Sequence, residues 1–473
     1  MTIDSVLIAN RGEIAIRIAR ALSELGLRSV AVYSEDDADS LHVRAVDEAV
    51  ALEGSGPPAY LDFDAIVAAA RSAGCDAVHP GYGFLAESAA FAQKCVDAGL
   101  SFVGPGVKHL ELFGDKARAR EEAQAAGVPV PRGIDRAVTL AEAKEFFDSL
   151  GESGGMMIKA VGGGGGRGTR AVTSRDEIEA AFDRCRSEAA RSFGNDALYV
   201  EEFIPSARHI EVQILGDSAG SVLHLGEREC SVQRRYQKLI EIAPAPGLPD
   251  GLRRAITGAA VRIAQQVGYR NLGTFEFLLD AAHDGPGRFL FIEANARLQV
   301  EHTVTEEVTG IDLVQAQIRL ADGATLADLG LAVEDPRQTS GFAIQARVNM
   351  ETIAEDGAPH PASGTLAMYQ PPGGPGIRTD GFGYTGYTTN TRYDSLLAKV
   401  IAHISADDFP AAARRLSRAL GEFQVTGLDT NIPFLRAILD HEDFAAGRIA
   451  TRWVDEHLEE LAEAVARVQS SDT

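Results

Sequence analysis

Two glutamates and the polar row that follows them are the residues best placed to do chemistry. Gly273-Thr-Phe-Glu-Phe-Leu-Leu-Asp280 and Arg288-Phe-Leu-Phe-Ile-Glu293 flank Asp284-Gly-Pro-Gly287 and read as an antiparallel hairpin. A symmetric turn centred between residues 284 and 285 sets Glu276 opposite Glu293. Cross-strand Cβ atoms lie ~5 Å apart, where two carboxylates repel unless a cation sits between them. A hard divalent cation suits the pair, since Mg²⁺ typically takes one or two carboxylates plus substrate phosphates. If the chain stays extended, period-2 counting puts Glu293, Asn295, Arg297, Gln299 and Glu301 on one side. Phe289 and Phe291 continue that face, which predicts a polar row on a partly buried surface rather than a solvated edge.

A second feature is the run from Gly162 to Gly168, six glycines among seven residues. It satisfies G-x-G-x-x-G only incidentally, because a dinucleotide fingerprint opens a helix and Thr169 to Val172 reads as strand. Thr169, not Lys, follows Gly168, which excludes a Walker A loop. What remains is a glycine hairpin whose backbone N–H groups can close over phosphates, with Lys159 one strand back adding charge. The first βα turn, Asn10-Arg-Gly-Glu13, has one glycine; with Glu35 after the second strand it leaves an NAD-dependent oxidoreductase as the competing class.

These residues need a scaffold, and 473 residues at ~150 per domain supply about three domains. The net charge of −23 repels phosphate backbones and anionic lipid, which argues against nucleic acid or a membrane surface as partner. No apolar run approaches the ~18 residues of a membrane helix, and Met1 to Asn10 lacks a basic n-region, so a cytoplasmic protein is expected. Cys75, Cys95, Cys185 and Cys230 show no metal-ligand spacing and read as reduced thiols. Cys230, among charged residues, is the one to test for reactivity.

Along the chain, Ser5–Ala9, Ser29–Tyr33, Asp76–His79 and Ser101–Val103 read as strands of an open parallel sheet, with Ile14, Ile18, Leu22 and Leu25 on one face of a helix closed by Gly26. Lys108 to Ala126 predicts one helix ended by Gly127, followed by the linker Val128-Pro-Val-Pro131. Met157 to Val161 is a strand, and Arg175 to Arg191 a helix with Ser174 and Glu177 as a capping box. Strands then follow at His209–Leu215, Ser221–Leu225, Gly273–Leu279 and Arg288–Glu293, around a helix from Gly251 to Val267. A Pro/Gly-rich stretch spans Pro359 to Gly376, and Phe409 to Val468 is mostly helical.

Several motifs now resemble one family. Asn10-Arg-Gly-Glu-Ile-Ala15, His79-Pro-Gly-Tyr-Gly-Phe-Leu85, Gly114-Asp-Lys116, the Gly162 to Gly168 loop, Arg208-His-Ile-Glu-Val-Gln213, Glu229-Cys-Ser-Val-Gln-Arg-Arg235 and Glu293-Ala-Asn-Ala-Arg-Leu-Gln-Val-Glu-His302 are similar to the biotin carboxylase component of biotin-dependent carboxylases. Tyr393-Asp-Ser395, Lys399 and Thr430-Asn431 extend the match over nearly the whole chain. The resemblance implies an α/β (α+β) protein: a Rossmann-like N-terminal domain (1–127), an ATP-grasp lid with the glycine loop (128–204), an ATP-grasp core (205–335), a mixed C-terminal domain (336–450) and a helical tail (451–473). It implies an ATP-dependent ligase that makes carboxyphosphate from ATP and bicarbonate, the CO₂ released being captured by N1 of biotin on a carrier domain. By the same resemblance Lys116, Lys159, His209, Gln233, Leu278 and the backbone of Gly163, Gly164, Gly165 and Gly166 bind the nucleotide, with Glu201 at the adenine. Glu276, Glu293 and Asn295 hold Mg²⁺ or Mn²⁺, and Arg297, Gln299 and Val300 take bicarbonate. Glu301 is the base, Lys238 stabilises carboxyphosphate, Arg347 the biotin enolate, and Tyr82 lines the biotin site.

Departures from the family pattern are Tyr236, where many relatives have His; Gln345-Ala-Arg347, nearer the pyruvate carboxylase branch than the Glu-x-Arg of bacterial acetyl-CoA carboxylase; and Pro375, in place of a Phe near the family's dimer residues, here Arg20, Glu24 and Arg378. A homodimer or larger complex is expected. No Ala-Met-Lys-Met occurs, so the biotin carrier and the carboxyltransferase are expected on other chains or on other parts of a longer chain. The acceptor, acetyl-CoA, a longer acyl-CoA or pyruvate, never touches this component and stays open.

Overall fold

The computed structural model describes residues 2–134, 136–151, 154–161, 168–280, 287–331, 339–354 and 357–471. The glycines at 163–166 and the turn at 284–286 lie outside the described residues.

The N-terminal sheet is parallel, in the order Glu48–Leu52, Arg28–Ser34, Ser5–Ile8, Ala77–His79, Ser101–Phe102. Glu48–Leu52 was not expected: as an edge strand it buries only Leu52, so its apolar signal is weak. The helix Gly12–Leu25 buries Ile14, Ile18 and Leu22 and stops at Gly26, whose φ of 73° lets its N–H reach the carbonyls of Leu22 and Ser23.

The single helix expected from Lys108 to Ala126 is two, Val107–Gly114 and Lys116–Ala125. Asp115 is extended, and its carboxylate accepts from the N–H groups of Ala117 and Arg118; this cap starts a new helix with Lys116 as its first residue. The expected capping box at Ser174 is also absent. Residues Arg175–Glu177 form a 3₁₀ turn with no side-chain cap bond, and the helix proper is Ile178–Phe193. The reciprocal box forms instead between Thr139 and Glu142, at the start of Leu140–Ser149. These two helices pack on an antiparallel sheet ordered Gly133–Ile134, Leu198–Phe203, Gly155–Ala160, Thr169–Val172.

An eight-stranded antiparallel sheet carries the rest, in the order Arg288–Asn295, Asn271–Asp280, Ala207–Gly216, Val222–Arg234, Gln237–Ala243, Phe342–Asn349, Leu396–Ile404, Ile377–Gly381. It runs unbroken across the 335/336 boundary expected from the sequence. One face is apolar. Phe275, Phe277 and Phe291 pack beneath the helix Asp250–Gln266, and Ile344, Val400 and Ala402 pack beneath the helices Phe409–Glu422 and Ile432–Asp440. The other face carries nearly every polar residue singled out above.

Two bulges make that segregation possible. Glu276 pairs with Glu293 but Phe277 pairs with Phe291, so one extra residue, Ile292, sits between the pairs. Phe291 therefore turns to the core, away from Glu293, contrary to the period-2 count that put both on one face. The same bulge restores the Glu276–Glu293 pairing, which the register near the loop would otherwise miss by one residue. In Gln237–Ala243, Val232 pairs with Ile240 and Gln233 with Lys238; the extra residue, Leu239, brings Lys238 round to the side of Glu241.

Candidate active site

Cross-strand register places His209, Glu211, Glu276, Glu293, Asn295, Lys238, Glu241 and Arg347 on the polar face. The strand Arg288–Asn295 ends at Asn295 and the chain does not stay extended to Glu301, as the counting assumed. A turn instead brings Arg297, Gln299 and Glu301 back over the sheet before the helix His302–Thr309, so the row converges by folding and not by strand periodicity.

The centre is a buried ion cluster. Lys238 Nζ donates to Glu211 at 2.6 Å and Glu301 at 2.7 Å, and reaches Glu276 at 3.5 Å. Arg347 donates through Nε to Glu241 at 2.6 Å and through Nη2 to the second oxygen of Glu301 at 3.1 Å. Burial opposes the charge of Glu301, yet Lys238, Arg347 and Arg228 hold its carboxyl well below the usual range. Glu276 faces the same burial and is likewise held low by Lys238 and His209, the latter at 2.6 Å. Lys116, 3.1 Å from Glu293, is the main reason that carboxyl is lowered.

Around this centre, Asn295 Nδ2 and Gln299 Nε2 donate to Glu276 Oε1 at 2.5 and 3.1 Å, while Arg297 donates to Gln299 Oε1 at 2.8 Å, Asn295 Oδ1 at 3.2 Å and Glu87 at 3.1 Å. Lys159 pairs with Glu201, which also faces Arg120 at 3.5 Å. Gln233 is buried across from Lys238, and Leu278 lies opposite His209. Tyr82 stands between Gly81 and Gly83, both at positive φ, with its carbonyl held by Asn10 Nδ2 at 2.8 Å and its hydroxyl donating to Glu13. A Cβ at Gly81 would meet Asn10 Nδ2 at 2.8 Å, so the loop requires glycine there.

The donor set fits a hard divalent cation. Glu276 and Glu293 are in register, ionised and oxygen-only, and lysine or histidine nitrogens hold both. Residues to which sequence reasoning gave no role are Glu211, Glu241 and Glu87; Gln345, noted there only as a departure, donates to Glu241 at 2.9 Å. Glu211 alternates with His209 and Gln213 in a motif already quoted, which was a usable signal. Glu241 was hidden because the bulge at Leu239 breaks the period. Cys230, the cysteine to test, is fully buried, and burial followed by Glu211 pushes its thiol well above the ordinary value against the pull of Lys238.

A family model of the biotin carboxylase N-terminal domain matches residues 2–110, one of the ATP-binding domain of carbamoyl-phosphate synthase L chain matches 115–329, and one of the biotin carboxylase C-terminal domain matches 345–456. The biotin carboxylase of Nostoc is 46% identical over 458 residues, covering 96% of this chain and 99% of that protein. Mitochondrial pyruvate carboxylase of Mus musculus is 50% identical over 461 residues, 97% of this chain but 38% of that protein; the chain thus spans well under half the length of such relatives. The biotin carboxylase domain of Hydrogenobacter thermophilus 2-oxoglutarate carboxylase, solved as a dimer with MgADP, ADP and bicarbonate, is 40% identical with a TM-score of 0.92, covering 98% of this chain and 99% of that one.

Proposed function

The chain belongs to the biotin carboxylase family, and from that membership we propose that it carboxylates biotin with ATP and bicarbonate, through carboxyphosphate, as the first half-reaction of a biotin-dependent carboxylase. The observation that carries this reading is the Glu301 carboxylate, buried and ionised between Lys238 and Arg347, beside the Arg297–Gln299 pair.

In this reading Arg297, Gln299 and the backbone of Val300 bind bicarbonate, a small anion suited to a guanidinium fork. Glu301 accepts its proton. The incoming anion draws Lys238 and Arg347 partly away from Glu301, which raises the basicity of a carboxylate otherwise held too acidic. Lys238 then faces the carboxyphosphate, and Arg347, anchored by Glu241, is left to stabilise the biotin enolate against Tyr82. Lys116, Lys159, His209, Gln233 and Leu278 bind the nucleotide, with Glu201 oriented by Arg120. Glu276, Glu293 and Asn295 would hold Mg²⁺, whose chemistry is to neutralise phosphate charge.

Carrier and carboxyltransferase functions are assigned to other chains or other parts of a longer chain, and Arg20, Glu24 and Arg378 to a homodimer face. These three residues line one surface groove, where Arg378 donates to Glu306 at 2.8 Å and Asp380 at 2.7 Å. Among the described residues no helix is long and apolar enough to cross a membrane. The test is phosphate release from Mg·ATP in the presence of free biotin. Release that requires bicarbonate is expected; release indifferent to bicarbonate but stimulated by an amine would assign the chain to a different ATP-grasp chemistry.

A further inference from the structure

Lys399, on the strand Leu396–Ile404 opposite Arg347, is completely buried, and an ammonium carries three protons. Among the described residues its Nζ meets the carbonyl of Val300 at 3.0 Å, Glu13 Oε1 at 3.0 Å and the ring of Tyr82, 5.9 Å from centroid, and the buried Asp380 is its cross-strand partner. The Tyr82 hydroxyl donates to that same Glu13 oxygen. Glu13 opens the helix Gly12–Leu25, Tyr82 lies in the loop after Ala77–His79, and Val300 immediately precedes Glu301. One ammonium therefore ties together four segments remote in sequence.

The arrangement is expensive for a structural filler. A buried ion pair is often matched or bettered by apolar residues of similar volume, and Glu13 Oε2 is buried with no hydrogen-bond partner. Its place in the fold supplies a reason. Resting on the assignment of Tyr82 to biotin and of Val300 and Glu301 to bicarbonate, we propose that Lys399 is a positioning residue that couples the two substrate sites. A ligand that presses on Tyr82 shifts its hydroxyl, hence Glu13 Oε1, hence the ammonium and the Val300 peptide that sets the direction of Glu301. A misplacement of about 1 Å at such a peptide is enough to change a rate. The chain also gives a task to Asn10-Arg-Gly-Glu13 and the isolated Lys399, and ties both to the His79-Pro-Gly-Tyr82 loop.

The experiment measures bicarbonate-dependent phosphate release from Mg·ATP with and without free biotin, using the full chain, for wild type, Lys399→Met, Lys399→Arg, Tyr82→Phe and the Lys399→Met/Tyr82→Phe double variant. Wild type is expected to be stimulated by biotin. Lys399→Met should cut that stimulation ratio by about fivefold or more, the lower range of site-to-site coupling, and raise KM for bicarbonate, with ATP Kd unchanged by calorimetry. Lys399→Arg should recover part of the ratio. Tyr82→Phe loses only a hydroxyl, and Glu13 keeps Lys399, so it is expected to fold; it should lower the ratio too, with the double variant no worse than the worse single. Equal losses with and without biotin, or losses that multiply in the double variant, would overturn the coupling. Should Lys399→Met fail to fold, an unchanged ratio in Tyr82→Phe overturns it alone. A wild type without bicarbonate dependence refutes the parent reading instead, and one with that dependence but no biotin stimulation refutes only this inference.

Discussion

Glu301→Gln separates binding from chemistry. The carboxylate is buried, with Lys238 at 2.7 Å on one oxygen and Arg347 at 3.1 Å on the other. At ~3 Å and an effective dielectric near ~20, each contact is a field of roughly 5 kcal/mol acting on the charge. The amide keeps one acceptor oxygen, and both cations keep another carboxylate: Glu211 at 2.6 Å for Lys238 and Glu241 at 2.6 Å for Arg347. The amide turns its NH₂ toward one of the two cations, so folding loses at least one charge-assisted hydrogen bond, ~1.5–3 kcal/mol, but neither cation is left as an orphaned buried charge, which would cost ~3–5 kcal/mol. Loss of a positioned base costs more, about 10² to 10⁴ in turnover. Bicarbonate-dependent phosphate release should fall by that factor while ATP affinity, read by calorimetry, stays within about twofold of wild type. Because the carboxyl of the free enzyme is held below its ordinary value, kcat/KM for bicarbonate, which reports the free enzyme, should show no limb from Glu301 near an ordinary carboxylate pKa. Arg297→Ala should additionally weaken bicarbonate binding. Normal turnover in Glu301→Gln, with ATP binding alone impaired, would show that Glu301 is a nucleotide or structural residue.

Glu276→Gln or Glu293→Gln should reduce ATP turnover by roughly 10²-fold or more with folding intact, because relief of carboxylate repulsion offsets a lost contact; normal turnover at ordinary Mg²⁺ would exclude the pair as metal ligands. All four cysteines are buried, with thiols pushed up to about 11 for Cys75 and about 12 for Cys95, so native protein should react with a thiol reagent only on unfolding; rapid labelling of Cys230 would contradict this. Burial lowers His42 to about 4 and His79 to about 3, so the unfolded chain takes up protons below pH ~6.5 that the native one refuses. Stability should therefore drop between pH 7 and 5, by on the order of 2 kcal/mol per histidine at pH 5. Urea midpoints at the two pH values measure it, and His42→Gln should flatten the slope; an equal drop in the variant would place the sensitivity elsewhere.

The family, and the pairing of Glu276 with Glu293, were legible in the sequence because local chemistry survives in a one-dimensional reading. The parallel N-terminal sheet followed from short apolar runs separated by a helical period, and Glu276 and Glu293 followed from two β-rich segments around a Gly-Pro turn. What it could not determine is which way those residues point when a strand gains an extra residue. The bulges at Ile292 and Leu239 each invert the period-2 count, sending Phe291 to the core and bringing Lys238 to the side of Glu241. The break at Asp115 that sets Lys116 at a helix start is likewise a competition between a cap and continued helix. Most of all, only tertiary structure decided the contacts among charges. Lys238, Glu211, Glu301 and Arg347, and again Lys399, Glu13, Tyr82 and Val300, lie far apart in the chain. A buried charge is defined by its partners, and those partners exist only once the sheet has brought distant strands together.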